Sequence, residues 1–267
     1  MSIQTAAKAL ANEWPEYAME AANLALFMMS ACVFGTLLAH PDSRLHHWLS
    51  EPVGRRAAMG VAMGLTAMAI VYSPFGKRSG AHMNPSITLT YWMLGRVRPW
   101  TAIFYLAAQF VGGVVGVQLA PQLIGPPLAH AAINYVATHP GDAGPHVAFA
   151  AEFFISLVLM LVVLAFSNTR ALSRWTPVAA GSLVALFIAF EDPYSGMSMN
   201  PARSYGSAVA AGEWRWLWIY FIAPPLGMLT AGLLYGFRRG IRRVYCAKLH
   251  HHNTQRCIFR CGYGDMA

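Results

Sequence analysis

Two short motifs, each with an asparagine followed by a proline, carry the residues of this sequence most suited to hold a small polar molecule. Residues 79–86 read SGAHMNPS and residues 195–202 read SGMSMNPA. Asn is a good helix N-cap and Pro fits the first helical position, so Asn84-Pro85 and Asn200-Pro201 each predict a helix start. Such a start presents free N–H groups and a partial positive charge, which attract oxygen atoms and repel cations.

The composition around these motifs is that of a membrane protein. Of the 267 residues, 56% are hydrophobic and 11% are charged, whereas roughly a quarter are charged in a soluble domain. The formal net charge is +8, but the basic residues form short clusters between apolar runs. Because no continuous basic face results, we predict no nucleic-acid partner.

The elements that must position the motifs are apolar runs of two lengths. Six runs are long enough to cross a bilayer, which takes about 17–25 residues. They lie near residues 18–39, 57–75, 100–120, 148–167, 175–193 and 214–237. Two shorter segments, about 84–95 and 200–211, follow the motifs and reach roughly half of a bilayer core. They are either surface helices or re-entrant half-helices, and we favour the second interpretation.

The order span, span, half-helix, span occurs twice, which predicts an inverted repeat. Its halves cover about residues 18–120 and 148–237, with an N-terminal segment at 1–17 and a basic tail at 238–267. Glu20 and Glu152 take matching places near the starts of the first and fourth spans. With three spans in each half, the halves run in opposite directions across the membrane. The fold class is thus an all-α membrane protein of six spans and two half-helices.

The loop charges give the orientation of these spans. If the N-terminus is cytoplasmic, 14 Lys and Arg residues lie on the inner side and five on the outer side. The positive-inside rule therefore predicts both termini in the cytoplasm. The two half-helices then approach the middle of the membrane from opposite faces, and their starts line a shared cavity.

Arg203, three residues past Asn200, is a further candidate in this cavity. An arginine at membrane depth is costly and is typical of a functional site, although a salt-bridged or snorkelling side chain is the alternative. Near the outer mouth it adds donors for a solute oxygen and repels cations.

A water molecule held by the side-chain amides of Asn84 and Asn200 accepts a hydrogen bond from each. This arrangement interrupts the relay of protons along a file of water molecules.

The sequence resembles the aquaporin family (major intrinsic proteins). The phrases SGAHMNPSITLT and SGMSMNPARSYG are similar to the two signatures of that family, and the likeness runs from the first span to the sixth. The resemblance implies a right-handed helix bundle, a homotetramer with one pore per subunit, no cofactor and no enzyme activity. It also implies that Asn84, Pro85 and Ser86, with Asn200, Pro201 and Ala202, form the pore centre, and that Glu20, Glu152 and His82 support the pore loops.

The resemblance further assigns a narrow outer filter to Met63, Ile188, Met197 and Arg203. Water-selective members usually place an aromatic residue and a histidine there, and glycerol-conducting members two aromatic residues. Here three aliphatic side chains face the arginine instead. Ordinary helix packing is the alternative for the two span residues, Met63 and Ile188. Ser86 departs from the usual alanine and adds a hydroxyl near the pore centre.

The predicted function is a passive channel in the cell membrane for water and small neutral solutes, from which ions and protons are excluded. One alternative is a facilitator for glycerol, urea or a metalloid. The other is an ion-coupled secondary transporter, for which Glu20 and Glu152 would be the coupling carboxylates. We find no nucleophile–base pair and no Gly-rich phosphate loop in the sequence, and therefore predict no enzyme.

The tail contains soft metal ligands that a plain pore does not need. Cys246 and His250 are four residues apart, as are Cys257 and Cys261, so each pair could share one helix face. Sulfur and imidazole ligands suit Zn²⁺. The spacing matches no standard zinc finger, and we assign no metal here from the sequence alone.

Overall fold

The computed structural model describes residues 5–265, which form α-helices and short turns with no β-strand among them. The α-helices are α1 (Ala6–Ala39), α2 (Arg44–Trp48), α3 (Pro52–Tyr72), α4 (Pro74–Ser79), α5 (Pro85–Met93), α6 (Pro99–Ile124), α7 (Pro145–Ser167), α8 (Thr176–Phe190), α9 (Asp192–Ser195), α10 (Pro201–Ala211) and α11 (Leu217–Arg239). Short 3₁₀ turns lie at Pro126–Ala129, Asn134–Val136, Ser173–Trp175, Ile241–Arg243 and Tyr263–Asp265.

The predicted order of six long helices and two half-helices is confirmed. The long helices are α1, α3, α6, α7, α8 and α11, and five of them have both the length and the apolarity of a membrane span. The remaining one, α3, is 21 residues long and carries Arg55 and Arg56 near its start. The half-helices α5 and α10 have 9 and 11 residues, so they extend about 14 and 17 Å, roughly half of a bilayer core.

The first helix begins earlier than the first predicted span. It starts at Ala6 and runs for 34 residues, capped by the side chain of Thr5, so most of the predicted N-terminal segment is helical. The extension holds two buried carboxylates, since Glu16 pairs with Arg78 at 2.9 Å and Glu13 with Arg98 at 3.3 Å. Glu16 also lies 3.9 Å from Arg256 in the tail. The two ends of the described chain therefore lie on the same face of the bundle.

The packing of the helices repeats between the two halves. Helix α1 packs on α6 as α7 packs on α11, and α5 packs on α11 as α10 packs on α6. A fifth pairing, α3 with α8, joins the two halves across the pseudo-two-fold axis. This arrangement is the predicted inverted repeat, and it brings α5 and α10 to the centre of the bundle from opposite faces.

Glycines allow the closest of these crossings. A Cβ atom on Gly112 of α6 would collide with the backbone carbonyl of Ala21 in α1. A Cβ atom on Gly227 of α11 would collide in the same way with the carbonyl of Phe153 in α7. Small residues at such contacts let membrane helices approach closely and gain dispersion energy along their length. The two collisions fall on helix pairs that the repeat relates.

Candidate functional site

The two half-helices begin where the asparagines predict, and each asparagine caps its own helix. The side-chain oxygen of Asn84 accepts a hydrogen bond from the backbone N–H of Ser86 at 2.8 Å. That of Asn200 accepts from the N–H groups of Ala202 and Arg203 at 3.1 and 3.3 Å. Pro85 and Pro201 occupy the first helical positions, where a missing N–H costs nothing.

The same two asparagines join the half-helices to one another. Asn84 Nδ2 donates to the carbonyl oxygen of Met199 at 2.7 Å, and Asn200 Nδ2 donates to that of Met83, also at 2.7 Å. A side-chain amide has two N–H donors, and each cross-link uses one of them. Both asparagines line the central cavity of the bundle, so each side chain caps a helix, fixes the opposite loop and contributes to the cavity wall.

The loops before the half-helices have left-handed backbone at positions that the repeat relates. In the first loop φ is +53° at Ala81 and +50° at Met83, and in the second it is +39° at Met197 and +54° at Met199. Residues with a side chain adopt this conformation rarely, at a cost on the order of 1 kcal/mol each. Other contacts must therefore hold the loops in place.

Two buried carboxylates supply these contacts. Glu152 accepts hydrogen bonds from the N–H of Ser198 at 2.6 Å, the N–H of Met199 at 2.7 Å and the hydroxyl of Ser195 at 2.9 Å. Glu20 holds the first loop in the same way, through its own set of donors: the N–H of Met83, the hydroxyl of Ser79 at 3.0 Å and the side chain of Gln109 at 2.9 Å. Both glutamates are fully buried, and each braces one pore loop.

A cavity with a volume of about 140 Å³ lies at the centre of the bundle. This volume exceeds that of a single water molecule several-fold. The four predicted filter residues all line it: Met63, Ile188, Met197 and Arg203. The walls elsewhere are mostly aliphatic, and the polar groups are concentrated at the pore loops and at Asp192.

Arg203 is held at this wall by a loop that the sequence did not point to. Its Nη1 donates to the carbonyl oxygen of Val136 at 2.8 Å. Val136 belongs to a turn in which three consecutive residues have positive φ, and φ is +52° at Val136 itself. This is an unusual conformation for a β-branched residue. A strained turn thus fixes the guanidinium, and nothing in the sequence of the long loop marks it.

Two other residues predicted for the site, His82 and Ser86, differ in their hydrogen bonding. His82 lines the cavity, but both of its ring nitrogens are engaged, with Thr88 Oγ1 at 3.0 Å and with the carbonyl oxygen of Ala247 at 2.7 Å. Ser86 is fully buried, and its hydroxyl has no hydrogen-bond partner within residues 5–265. His82 therefore connects the first pore loop to the tail, which the sequence did not indicate.

The tail covers one end of the cavity. Leu249 is among the residues that line the cavity, and its backbone N–H donates to the carbonyl oxygen of Gly80 at 3.1 Å. The ring of Phe259 stacks on His82, with 5.3 Å between ring centroids. Residues of the tail therefore contact the first pore loop directly.

The structure corrects the prediction for the tail in two respects. Residues 244–262 form no α-helix, so the cysteines do not pair along helix faces. Cys246, Cys257 and Cys261 do come together, but with His251 rather than His250. The ring of His250 lies instead against Tyr72, at 5.0 Å between centroids. Hydrogen bonds with the thiols of Cys246 and Cys257 hold the pKa of the Cys261 thiol below its ordinary value.

Comparison with known sequences agrees with this geometry. Residues 11–235 match the family described as major intrinsic protein. The putative aquaporin NIP4-1 of Arabidopsis thaliana is 35% identical over 181 residues, which cover 67% of this chain and 62% of that protein. Aquaporin NIP2-1 of Oryza sativa subsp. japonica is 36% identical over 182 residues, which cover 67% of this chain and 58% of that protein. The matched region thus spans about three fifths of the length of these relatives.

The fold also has a solved counterpart. The X-ray structure of the aquaglyceroporin from Plasmodium falciparum resembles this chain with a TM-score of 0.67 at 19% sequence identity. The similarity covers 84% of this chain and 96% of the other. At this level of identity the two proteins share the fold.

Proposed function

Because this chain belongs to the major intrinsic protein family, we propose that it is a passive membrane channel for water and small neutral solutes. Aquaporins of this family are channels and not enzymes, and the sequence relatives are named aquaporins. The observation that carries the proposal is the pair of asparagines, Asn84 and Asn200, on the wall of one central cavity. Each has one amide N–H engaged across the cavity and a second donor for a passing oxygen.

Exclusion of ions follows from the same geometry. Two helix starts point toward the centre of the cavity, and each carries a partial positive charge. Arg203 adds a full positive charge nearer to the outer filter. A cation that loses its water shell therefore meets positive charge at the two helix starts and at Arg203. An anion meets mostly aliphatic walls along the rest of the path, where its lost hydration is not replaced.

Exclusion of protons depends on the orientation of water. A water molecule that accepts hydrogen bonds from both asparagine amides has no free acceptor for its neighbours in the file. Its own hydrogens then point away from the centre in both directions. A relay of protons needs every water to accept from one side and donate to the other, and the central water breaks that sequence.

The permeant is set by the filter, in which three aliphatic side chains stand beside Arg203. Met63 and Ile188 come from α3 and α8, and Met197 comes from the second pore loop. Methionine is flexible and polarizable, so it accommodates solutes of different shape. The aliphatic filter favours a second candidate function, namely passage of larger neutral solutes such as glycerol, urea or an undissociated metalloid acid.

We further propose that the face holding both described ends is cytoplasmic and that four copies assemble with one pore each. The inner face carries most of the Lys and Arg residues, as the positive-inside rule requires. Apolar side chains on the outside of the bundle are well exposed, among them Leu65, Phe154 and Ile222. Such residues face lipid or a neighbouring copy.

Purified protein in liposomes tests the filter. Stopped-flow light scattering measures the permeability to water, glycerol, urea and boric acid for the wild type and for Arg203→Val. We expect the variant to pass the three solutes larger than water faster than the wild type does. Arg44→Val, which changes an exposed arginine at the start of α2, is the matched control. Unchanged selectivity in Arg203→Val would show that the filter is assigned incorrectly.

A further inference from the structure

The tail brings four soft ligands to one point. The ligand atoms of Cys246, His251, Cys257 and Cys261 all lie within 4.8 Å of one another. The sulfur atoms of Cys246 and Cys257 are 3.5 Å apart, and Cys261 Sγ lies 3.0 Å from His251 Nε2. In a tetrahedral zinc site with Zn–S bonds of about 2.3 Å, neighbouring ligand atoms are separated by roughly 3.8 Å. The four atoms thus lie near the corners that such a site needs.

The separations do not fit a disulfide. A disulfide bond is about 2.05 Å long, and all four cysteines of the chain are free. Disulfides are also uncommon on the cytoplasmic side of a membrane, which is the side proposed for the tail. Three thiols and one imidazole gathered in a short segment are typical of a structural zinc site instead.

The residues around the cluster contact its ligand atoms. The backbone N–H of Tyr263 donates to Cys261 Sγ at 3.5 Å, and the ring of Tyr263 stacks on His251 at 4.3 Å between centroids. Such contacts orient the ligands of a metal. Nζ of Lys248 donates to the carbonyl oxygens of Gln255 and Arg256 at 3.0 and 2.7 Å. It closes the loop between the first and third ligands, Cys246 and Cys257, and brings a positive charge near them.

We propose that Cys246, His251, Cys257 and Cys261 bind one Zn²⁺ ion that holds the tail folded against the inner mouth of the cavity. The spacing is Cys-x₄-His-x₅-Cys-x₃-Cys. Three thiolates and Zn²⁺ carry one net negative charge, which the ammonium of Lys248 offsets. This segment of the tail has no α-helix and little core of its own, so a bound metal supplies the energy that orders it.

The position of the tail gives the metal a role at the pore. The segment between the first two ligands contains Ala247 and Leu249, which contact the first pore loop at His82 and Gly80. The segment between the last two contains Phe259, which stacks on His82. Each contact lies within three residues of a ligand, so the metal fixes the parts of the tail that cover the cavity.

Metal analysis of the full-length protein tests the site without any measurement of flux. The chain is produced in zinc-supplemented medium with a tag that lacks histidines, purified in detergent, and analysed by mass spectrometry of the elements. We expect one zinc per chain in the wild type and at least a tenfold lower content in Cys261→Ser and in His251→Ala. The matched controls, His250→Ala and His252→Ala, change the two neighbouring histidines and keep the zinc.

Cobalt binding provides a second readout that does not depend on the folding of a variant. Replacement of zinc by Co²⁺ in the wild type should give the intense visible bands of tetrahedral cobalt with sulfur ligands. Less than about a tenth of an equivalent of zinc together with no such bands would overturn the proposal. It would also be overturned by equal zinc in Cys261→Ser and the wild type, or by a Cys246–Cys257 disulfide found in protein purified without reductant.

Discussion

Replacement of Glu152 by glutamine is the most informative perturbation of the pore. The carboxylate of Glu152 accepts three hydrogen bonds, two of them from the backbone N–H groups of Ser198 and Met199. Glutamine has nearly the same shape, but one of its two terminal atoms is a donor. One of the two backbone N–H groups must then face an NH₂ group, and it stays buried without an acceptor.

The size of the effect follows from the number of bonds lost. Loss of one buried hydrogen bond to a charged group costs about 1.5–3 kcal/mol. The second pore loop also has two residues with strained backbone, Met197 and Met199, which the carboxylate holds in place. We therefore expect Glu152→Gln to lower the melting temperature in detergent by about 4–8 °C and to reduce water permeability. Glu152→Ala, which removes all three bonds, should have a larger effect.

Thermal unfolding in detergent and stopped-flow shrinkage of proteoliposomes measure the two quantities on the same preparation. Glu51→Gln is the control, because Glu51 is exposed and its side chain makes no capping hydrogen bond at the start of α3. If Glu152→Gln matches the wild type in both assays, the carboxylate does not brace the loop. Burial of this carboxylate and strain in the loop would then not determine the shape of the pore.

Three further perturbations test other parts of the molecule. Asn200→Ala removes the cap of α10, and we expect about 1–2 kcal/mol lower stability in thermal unfolding and a lower water flux; unchanged stability would contradict the capping role. Gly112→Leu places a side chain against the carbonyl of Ala21 and should leave little monodisperse protein on size-exclusion chromatography. Gly54→Leu, with open space around it, should be tolerated, and equal yields would argue against the close crossing. Leu249→Ala shortens a side chain at the end of the cavity that the tail covers and should raise water permeability without loss of zinc; lower permeability would contradict a covering role for the tail.

The sequence was sufficient to predict the architecture because the membrane restricts the possible folds. Length and apolarity alone locate the six long helices. Apart from the start of α1, each predicted end lies within a few residues of the observed end. Asn84-Pro85 and Asn200-Pro201 carry local helix-start signals, so the half-helices were also placed correctly. The N-terminal helix is the exception: residues 6–17 precede the apolar run and carry Glu13 and Glu16, which pair with the distant residues Arg98 and Arg78.

The details of the site that could not be predicted all depend on long-range contacts. The hydrogen bond from Arg203 to Val136 connects segments 67 residues apart, and no local pattern at Val136 distinguishes it. The position of His251 rather than His250 at the cysteine cluster also could not be predicted from a local pattern. Adjacent histidines have the same ligand chemistry, and their surroundings in the folded tail decide which ring reaches the sulfur atoms.

The tail and the pore loops form one connected structure in this protein. His82, at the first pore loop, accepts or donates at both ring nitrogens, and one of its partners is the tail carbonyl of Ala247. A change in the tail therefore changes the packing of a residue that lines the cavity. Through this connection the proposed zinc site affects permeation as well as the fold of the tail.

The central claim is that the chain is a passive channel that passes water and small neutral solutes but no ions. The most direct test is the osmotic shrinkage of proteoliposomes that hold the wild-type protein and a pH-sensitive dye. We predict a water permeability several-fold above that of empty vesicles, a proton leak no faster than theirs, and no dependence on a sodium or proton gradient. Water permeability equal to that of empty vesicles, or flux that requires an ion gradient, would contradict it.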